Sequence, residues 1–273
     1  MAASRRILPG FGLSLGFTTA YLGLLVLLPV AALVWRSSEL GWHEFAAATL
    51  SRRALLAYGL SFGASAASAF ADILLGLPLA WAVTRYRFPG RRLMDALVDL
   101  PFALPTAVAG LALTQLFGPE GWFGAPLASL GLKVAFTRFG VFVALTFISL
   151  PFVVRTLQPV IEELEGEAEE AAASLGATRL TTLRRVIFPA LRPALVTAFA
   201  MAFARGVGEY GSIVFISGNK PFDTEIAPLL IVTKLEQYDY AGACAIAVVM
   251  LVVSFLFLLL INLLRRRAPG ASV

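Results

Sequence analysis

Apolar residues run along this chain in long blocks, and most charged residues gather in the segments between them. Six blocks, at 11–35, 54–84, 96–117, 134–157, 190–216 and 241–264, are long enough to cross a bilayer. A helix rising about 1.5 Å per residue needs ~20 apolar residues to cross ~30 Å of hydrocarbon. Helix is the expected form, because lipid offers the backbone no partners and each amide must bond within its own segment. Small residues recur in the second block, as in Gly63-Ala64-Ser65-Ala66-Ala67-Ser68-Ala69, and they let helix backbones approach where hydrophobicity no longer drives association. The pattern predicts an all-α integral membrane protein with six transmembrane helices.

One polar segment has a period of its own. The longest, 159–189, has 31 residues, too few for an independent core. Within it Leu164, Ala168, Ala171, Ala172 and Leu175 recur at spacings of three and four, which gives a short amphipathic helix one apolar face. Gly176 stands where a helix end favours positive φ, Thr178 suits the cap of a second short helix, and Pro189 suits the first turn of the fifth span. The expected order is helix, sharp turn, helix, membrane. Six Glu residues lie across 162–170. Such charge runs usually keep a surface solvated. A segment with an apolar stripe that is too short to fold alone must nevertheless pack on something, and a helix presenting Ala and Leu suits a groove in a partner protein.

Composition agrees with the pattern. Of 273 residues 59% are hydrophobic and 14% charged, with a mean hydropathy of +0.82. A soluble domain carries about 25% charged residues, so a water-soluble enzyme is excluded. The net charge of +5 reads first as cytoplasmic loop charge. With the N-terminus inside, the inner segments hold 14 basic residues, from Arg5 and Arg6 to Arg265, Arg266 and Arg267, and the outer segments hold 7. Both termini are therefore expected in the cytoplasm. The first block follows Arg5-Arg6 but ends in Val34-Trp35-Arg36 without a small-residue cleavage pattern, so it is expected to remain as a span. One Cys (Cys244) and one His (His43) offer no disulfide framework, no zinc cluster and no His relay; the expectation is no metal and no nucleic acid.

The loop residues carry a family resemblance. Glu170-Ala171-Ala172, three residues, Gly176, nine residues, Val186, one residue and Phe188-Pro189 resemble the E-A-A-x3-G-x9-I-x-L-P loop of ABC importer permeases. Val186 and Phe188 depart from that pattern, apolar for apolar. The segments Arg85-Tyr86-Arg87-Phe88-Pro89-Gly90-Arg91, Asp99-Leu100-Pro101-Phe102-Ala103-Leu104-Pro105-Thr106, Pro151-Phe152-Val153-Val154-Arg155-Thr156 and Arg205-Gly206-Val207-Gly208-Glu209-Tyr210-Gly211 resemble the sulfate/thiosulfate subfamily, in its T-type subunit. The resemblance covers essentially the whole chain.

That resemblance implies a type I ABC importer permease fold, with a cytoplasmic coupling helix between spans four and five. It implies a division into 1–53 (tail, first helix and periplasmic loop), 54–264 (core with five helices and the EAA loop at 159–189) and 265–273 (basic cytoplasmic tail). It implies a transport subunit of the bacterial inner membrane with no catalytic residue or cofactor of its own, working with a W-type permease subunit, an ATP-binding subunit dimer that uses ATP and Mg, and a periplasmic sulfate- or thiosulfate-binding protein. Glu170, Ala171, Ala172, Gly176 and Pro189 would form the ATPase-docking loop, with Glu170 facing a basic residue on the ATPase. The chain has no G-x-x-x-x-G-K-[ST] phosphate loop, so the ATPase site would lie in a partner. Molybdate or tungstate is the alternative substrate, and an ion-coupled carrier the alternative class.

Asp72, Arg205 and Glu209 lie within apolar blocks. An unpaired charge there costs at least ~2.5 kcal/mol. Arg205 and Glu209 are four apart and can neutralise each other on one helix face. Two readings remain open, a braced structural pair and a cationic point on the pathway of a dianion. Gly206, Gly208 and Gly211 would allow a bend or close helix approach there, as in a gate, and Asp72 is expected to be a structural or interfacial polar residue. Ser212 has no evident base, which leaves an intramembrane enzyme without a nucleophile. His43 beside Trp42 suits an interface belt, and Lys220, Asp223 and Glu225 lie in an outer loop where a delivering protein could dock.

Overall fold

A computed structural model describes residues 11–164 and 166–266. Arg5, Arg6, Glu165, Arg267 and the rest of the expected basic tail lie outside the described residues. The two ends of the bundle are called inner and outer here from the bias of basic residues.

The described elements are all helical. They run α1 (Phe11–Ser37), α2 (Trp42–Thr49), α3 (Arg52–Arg85), α4 (Arg91–Val98), α5 (Leu100–Ala103), α6 (Thr106–Phe117), α7 (Gly124–Ser129) and α8 (Arg138–Glu163). After these come α9 (Gly166–Ser174), α10 (Arg179–Thr182), a π turn (Leu183–Ile187), α11 (Phe188–Val207), α12 (Ile213–Ile216), α13 (Ala227–Glu236) and α14 (Tyr240–Arg266). Five helical runs are long and apolar enough to cross a membrane: α1, α3, α8, 179–207 and α14.

The expected third span is the exception. Residues 96–117 do not form one helix; α4, α5 and α6 divide them, and α6 has 12 residues, about 18 Å of rise. Proline causes the break. Leu104 precedes Pro105 and is extended, at φ −86° and ψ 133°, because the ring of Pro105 disfavours helical backbone at the residue before it. The fifth span also differs from expectation. It stops at Val207 instead of reaching 216, and α12 follows a short break.

Helices α3, α8 and α11 pack on one another to form the centre, with α13 and α14 against them. Helix α3 supplies small residues to this centre, among them Ala57, Ser61, Ser65, Ala69, Gly76 and Ala80. A Cβ placed on Gly76 would sit 2.9 Å from Val153 Cγ1 of α8, so glycine there sets how closely α3 and α8 approach. Phe62, Phe203 and Phe257 cluster where α3, α11 and α14 meet, with ring centroids 5.5 to 6.3 Å apart. Helix α1 lies outside this centre against α14, and its apolar surface is exposed, as lipid-facing helices require.

Candidate functional site

Two places carry the candidate chemistry: the inner loop between α8 and α11, and the breaks in the two interrupted spans.

In the inner loop the local sequence signals hold. Helix α9 ends at Ser174, and Gly176 takes φ +77°, which a side chain disfavours. The Gly176 N–H donates to Ala173 O at 2.9 Å and the Ala177 N–H to Ala172 O at 3.0 Å. This bond pair satisfies two otherwise orphaned helix carbonyls. The Thr178 hydroxyl accepts from the Thr181 N–H and caps α10. Pro189 lies in the first turn of α11. Between these, α10 does not stop: residues 179–207 make one continuous helical run. Pro189 has no N–H and its ring crowds the carbonyl four residues back, and the π turn at Leu183–Ile187 is where the helix widens to admit it.

The surface expected to dock is open. Glu170 and Ala171 are exposed, and Ala172 is half-buried. Leu175 is 89% exposed, and Leu180 and Leu183 are also exposed. Leu164 falls just before α9 rather than on it. The expected apolar face is therefore shorter than the sequence period suggested, because the helix begins at Gly166 and ends before Leu175.

At the breaks, the ionisable residues find each other. Arg205 Nη1 lies 2.5 Å from Glu209 Oε2, and the Glu209 side chain is 2% exposed. The other carboxylate oxygen, Oε1, accepts from the Ser212 N–H at 2.9 Å and the Ser212 hydroxyl at 3.1 Å. Ser212 thus has a carboxylate beside it, contrary to the expectation from sequence. Glu209 is at once the counter-ion of Arg205 and an acceptor for the donor at the start of α12, so the break is held by one carboxylate. The two breaks also touch. A Cβ on Gly110 of α6 would strike the Ser212 backbone, and one on Gly211 would strike the Thr106 side chain. Gly208 differs: its φ is −88° and nothing lies within 4 Å of where a Cβ would stand, so the geometry there does not demand glycine. Asp72 is 0% exposed, and neither carboxylate oxygen has a partner among the described residues.

The outer loop differs from expectation. Glu225 is buried and accepts a two-pronged bond from Arg53, at 2.7 and 2.6 Å. Asp223 pairs with Arg138 at 3.0 Å, and Lys220 donates to Phe136 O at 3.1 Å. Glu225 is an internal brace, unavailable to a docking protein. The α2 residue Trp42 is exposed and stacks on Phe45 at 5.9 Å.

Two arginine clusters escaped the sequence. Arg155 on α8 bonds Asp99 at 2.8 and 2.5 Å, Asp95 at 2.7 Å, the Asp95 carbonyl at 3.0 Å and Gln158 at 2.6 Å. Arg85, at the end of α3, pairs with Glu169 of α9 and donates to Leu164 O at 3.3 Å. Apart from Gln158, their partners lie 56 to 84 residues away in sequence, where no local period could point to them.

Residues 72–268 match the model of the family described as binding-protein-dependent transport system inner membrane component. The chain is 48% identical to the sulfate transport system permease protein CysT of Salmonella typhimurium (97% of this chain, 96% of the relative). It is 47% identical to the protein of the same name from Escherichia coli (97% and 96%) and 51% identical to that of Synechocystis sp. (91% and 87%). Among solved structures, a bacterial alginate ABC transporter in complex with an alginate pentasaccharide-bound periplasmic protein matches with a TM-score of 0.77, covering 97% of each chain at 19% identity. An inward-facing MetNI methionine ABC transporter matches with a TM-score of 0.58, covering 77% of this chain and 93% of that one, at 18% identity.

Proposed function

The chain belongs to the family of binding-protein-dependent transport system inner membrane components, and on that premise we propose that it is the permease subunit that carries sulfate or thiosulfate across the inner membrane in an ATP-driven importer. The near full-length identity to sulfate transport permeases carries this reading. Their similarity lends nothing to a molybdate or tungstate permease or to an ion-coupled carrier.

In this reading the loop from Glu170 to Pro189 docks on an ATP-binding subunit dimer. ATP and Mg are used there, and this chain supplies no catalytic group. Closure of that dimer reorients membrane helices only through a rigid contact. Helix α9, stopped by Gly176 and presenting exposed Glu170 and Ala171 with Leu175 just past its end, is suited to enter a groove. A W-type permease subunit completes the pathway and a periplasmic binding protein delivers the anion. Arg205 would temper the desolvation of a passing dianion, with Glu209 holding it in place. Both termini are placed in the cytoplasm by the basic bias of the inner segments.

The test is copurification with the ATP-binding and W-type subunits, followed by uptake of labelled sulfate into vesicles with and without ATP. Uptake that requires ATP and all subunits supports the proposal. Uptake by this chain alone, driven by an ion gradient, would refute it.

A further inference from the structure

One side chain ties the docking loop to the membrane helices. Arg85 is the last residue of α3, and its guanidinium carbon lies 5.2 Å from the Trp81 ring centroid, one turn back. The ring face attracts the cation and fixes where it points. One nitrogen, Nη1, donates to the carbonyl of Leu164 at 3.3 Å. Leu164 is the residue that ends α8, and carbonyls at a helix C-terminus have no intrahelical partner and carry partial negative charge. The other nitrogen, Nη2, bonds the Glu169 carboxylate of α9. Three elements therefore meet on one planar fork. Its five fixed donors suit such a joint, whereas a lysine ammonium offers a single point. Both side chains are largely shielded, at 26% and 32% exposure. Among the side chains described, which exclude that of Glu167, no other ion pair links α9 to a transmembrane helix.

We propose that Arg85 is the positioning residue of the coupling step: it locks α9 to the inner ends of α3 and α8, so that motion of a docked ATPase is delivered to those two helices. This rests on the reading of 159–189 as the docking loop. Without the joint, α9 keeps its surface for the partner and its chain link to α8, but its remaining packing is on α10 and the π turn, both of which lead to α11. The ATPase would still bind and hydrolyse ATP, yet α3 and α8 would no longer follow.

The test uses the full complex in vesicles. For R85A, we expect uptake to fall at least about tenfold, with the ATP-binding subunit copurifying at the wild-type ratio. Basal ATP hydrolysis should persist but lose its stimulation by the anion-loaded binding protein. E169A should show the same split, R85A/E169A should be no worse than R85A because both substitutions break one contact, and R85K should fall between wild type and R85A. The proposal is overturned if R85A transports within about twofold of wild type, if the two substitutions multiply their losses, or if R85A sheds the ATP-binding subunit, which would make Arg85 part of docking or folding. A wild-type complex that binds no ATPase overturns the docking reading and this proposal together. A coupled wild type beside a fully active R85A overturns this proposal alone.

Discussion

At Gly176 the backbone conformation is local and absolute. The φ of +77° costs a side-chain-bearing residue roughly 1–2 kcal/mol, in a nine-residue helix with little packing to absorb it. Gly176→Leu should unwind the last turn of α9, abolish uptake and leave membrane insertion intact; full uptake by that variant would remove the docking role. This position was legible in the sequence because its cause lies within five residues. Glu209 was half legible. Its spacing from Arg205 gave the ion pair, while the bonds from Ser212 depend on where the helix breaks, and that depends on the packing of α6. A second prediction concerns Asp239 in the outer loop. The Lys234 ammonium, 2.8 Å from Asp239 Oδ2, and the Gly242 N–H hold its carboxyl below the usual carboxylate range. A depressed folded value means that the stabilisation is complete above the ordinary pKa of about 3.9 and vanishes as pH falls through the lower folded value. D239N should lower the melting temperature of the purified protein at pH 6 and narrow its difference from wild type as pH drops toward 3. The shift will be small, because the group is 39% exposed and water screens it.

Elements were read well where apolarity and helicity coincide, and misread where proline separates them. A hydropathy window over 96–117 finds enough apolar residues for a span and is blind to Pro101 and Pro105, which divide it. The result is a span whose inner half, α4 and α5, is held by side chains instead of by a continuous helix. Arg155 does most of that holding, since its bonds reach both Asp95 and Asp99, and the Phe102 ring packs edge-on against Phe152 at 4.9 Å. Exposed ion pairs contribute about 0–1 kcal/mol each, but here several bonds converge on one guanidinium, and removing it leaves the Asp99 carboxylate without its partner and Asp95 with only the Gln158 amide at 3.1 Å. R155A should therefore loosen 91–103 without unfolding α3, α8 or α11. Hydrogen exchange would show this as faster labelling confined to that segment, and unchanged exchange there would show that proline geometry alone holds it. The glycines of the fifth span suggested a bend or a close helix approach, but not where the span would stop. The close approach is what Gly211 and Gly110 make between the two broken spans, whereas Gly208 has open space around it.

At the scale of the whole molecule, the proposed reading needs more than one chain to make a path. Two clefts on the periphery of the bundle are largely apolar. One of about 500 Å³ between α3 and α8 is lined by Leu55, Gly59, Gly63, Ala67, Phe139 and Phe142, with Arg138 and Asp223 at its edge. Another of about 490 Å³ lies between α11 and α14. Neither is lined by Arg205 or Glu209, and an apolar groove cannot replace the hydration of a dianion, whose transfer into a medium of low dielectric costs far more than any single contact returns. In the proposed reading the broken spans, with the Arg205–Glu209 pair beside them, meet a second surface to form the aqueous path. The consequence is a sharp dependence on composition. Vesicles holding this chain with the ATP-binding subunit and the loaded binding protein, but lacking the W-type subunit, should show no ATP-dependent sulfate uptake above protein-free vesicles. Adding the W-type subunit should restore it. Uptake in its absence would mean that two copies of this chain build the path, and the pairing of unlike permeases would have to be abandoned.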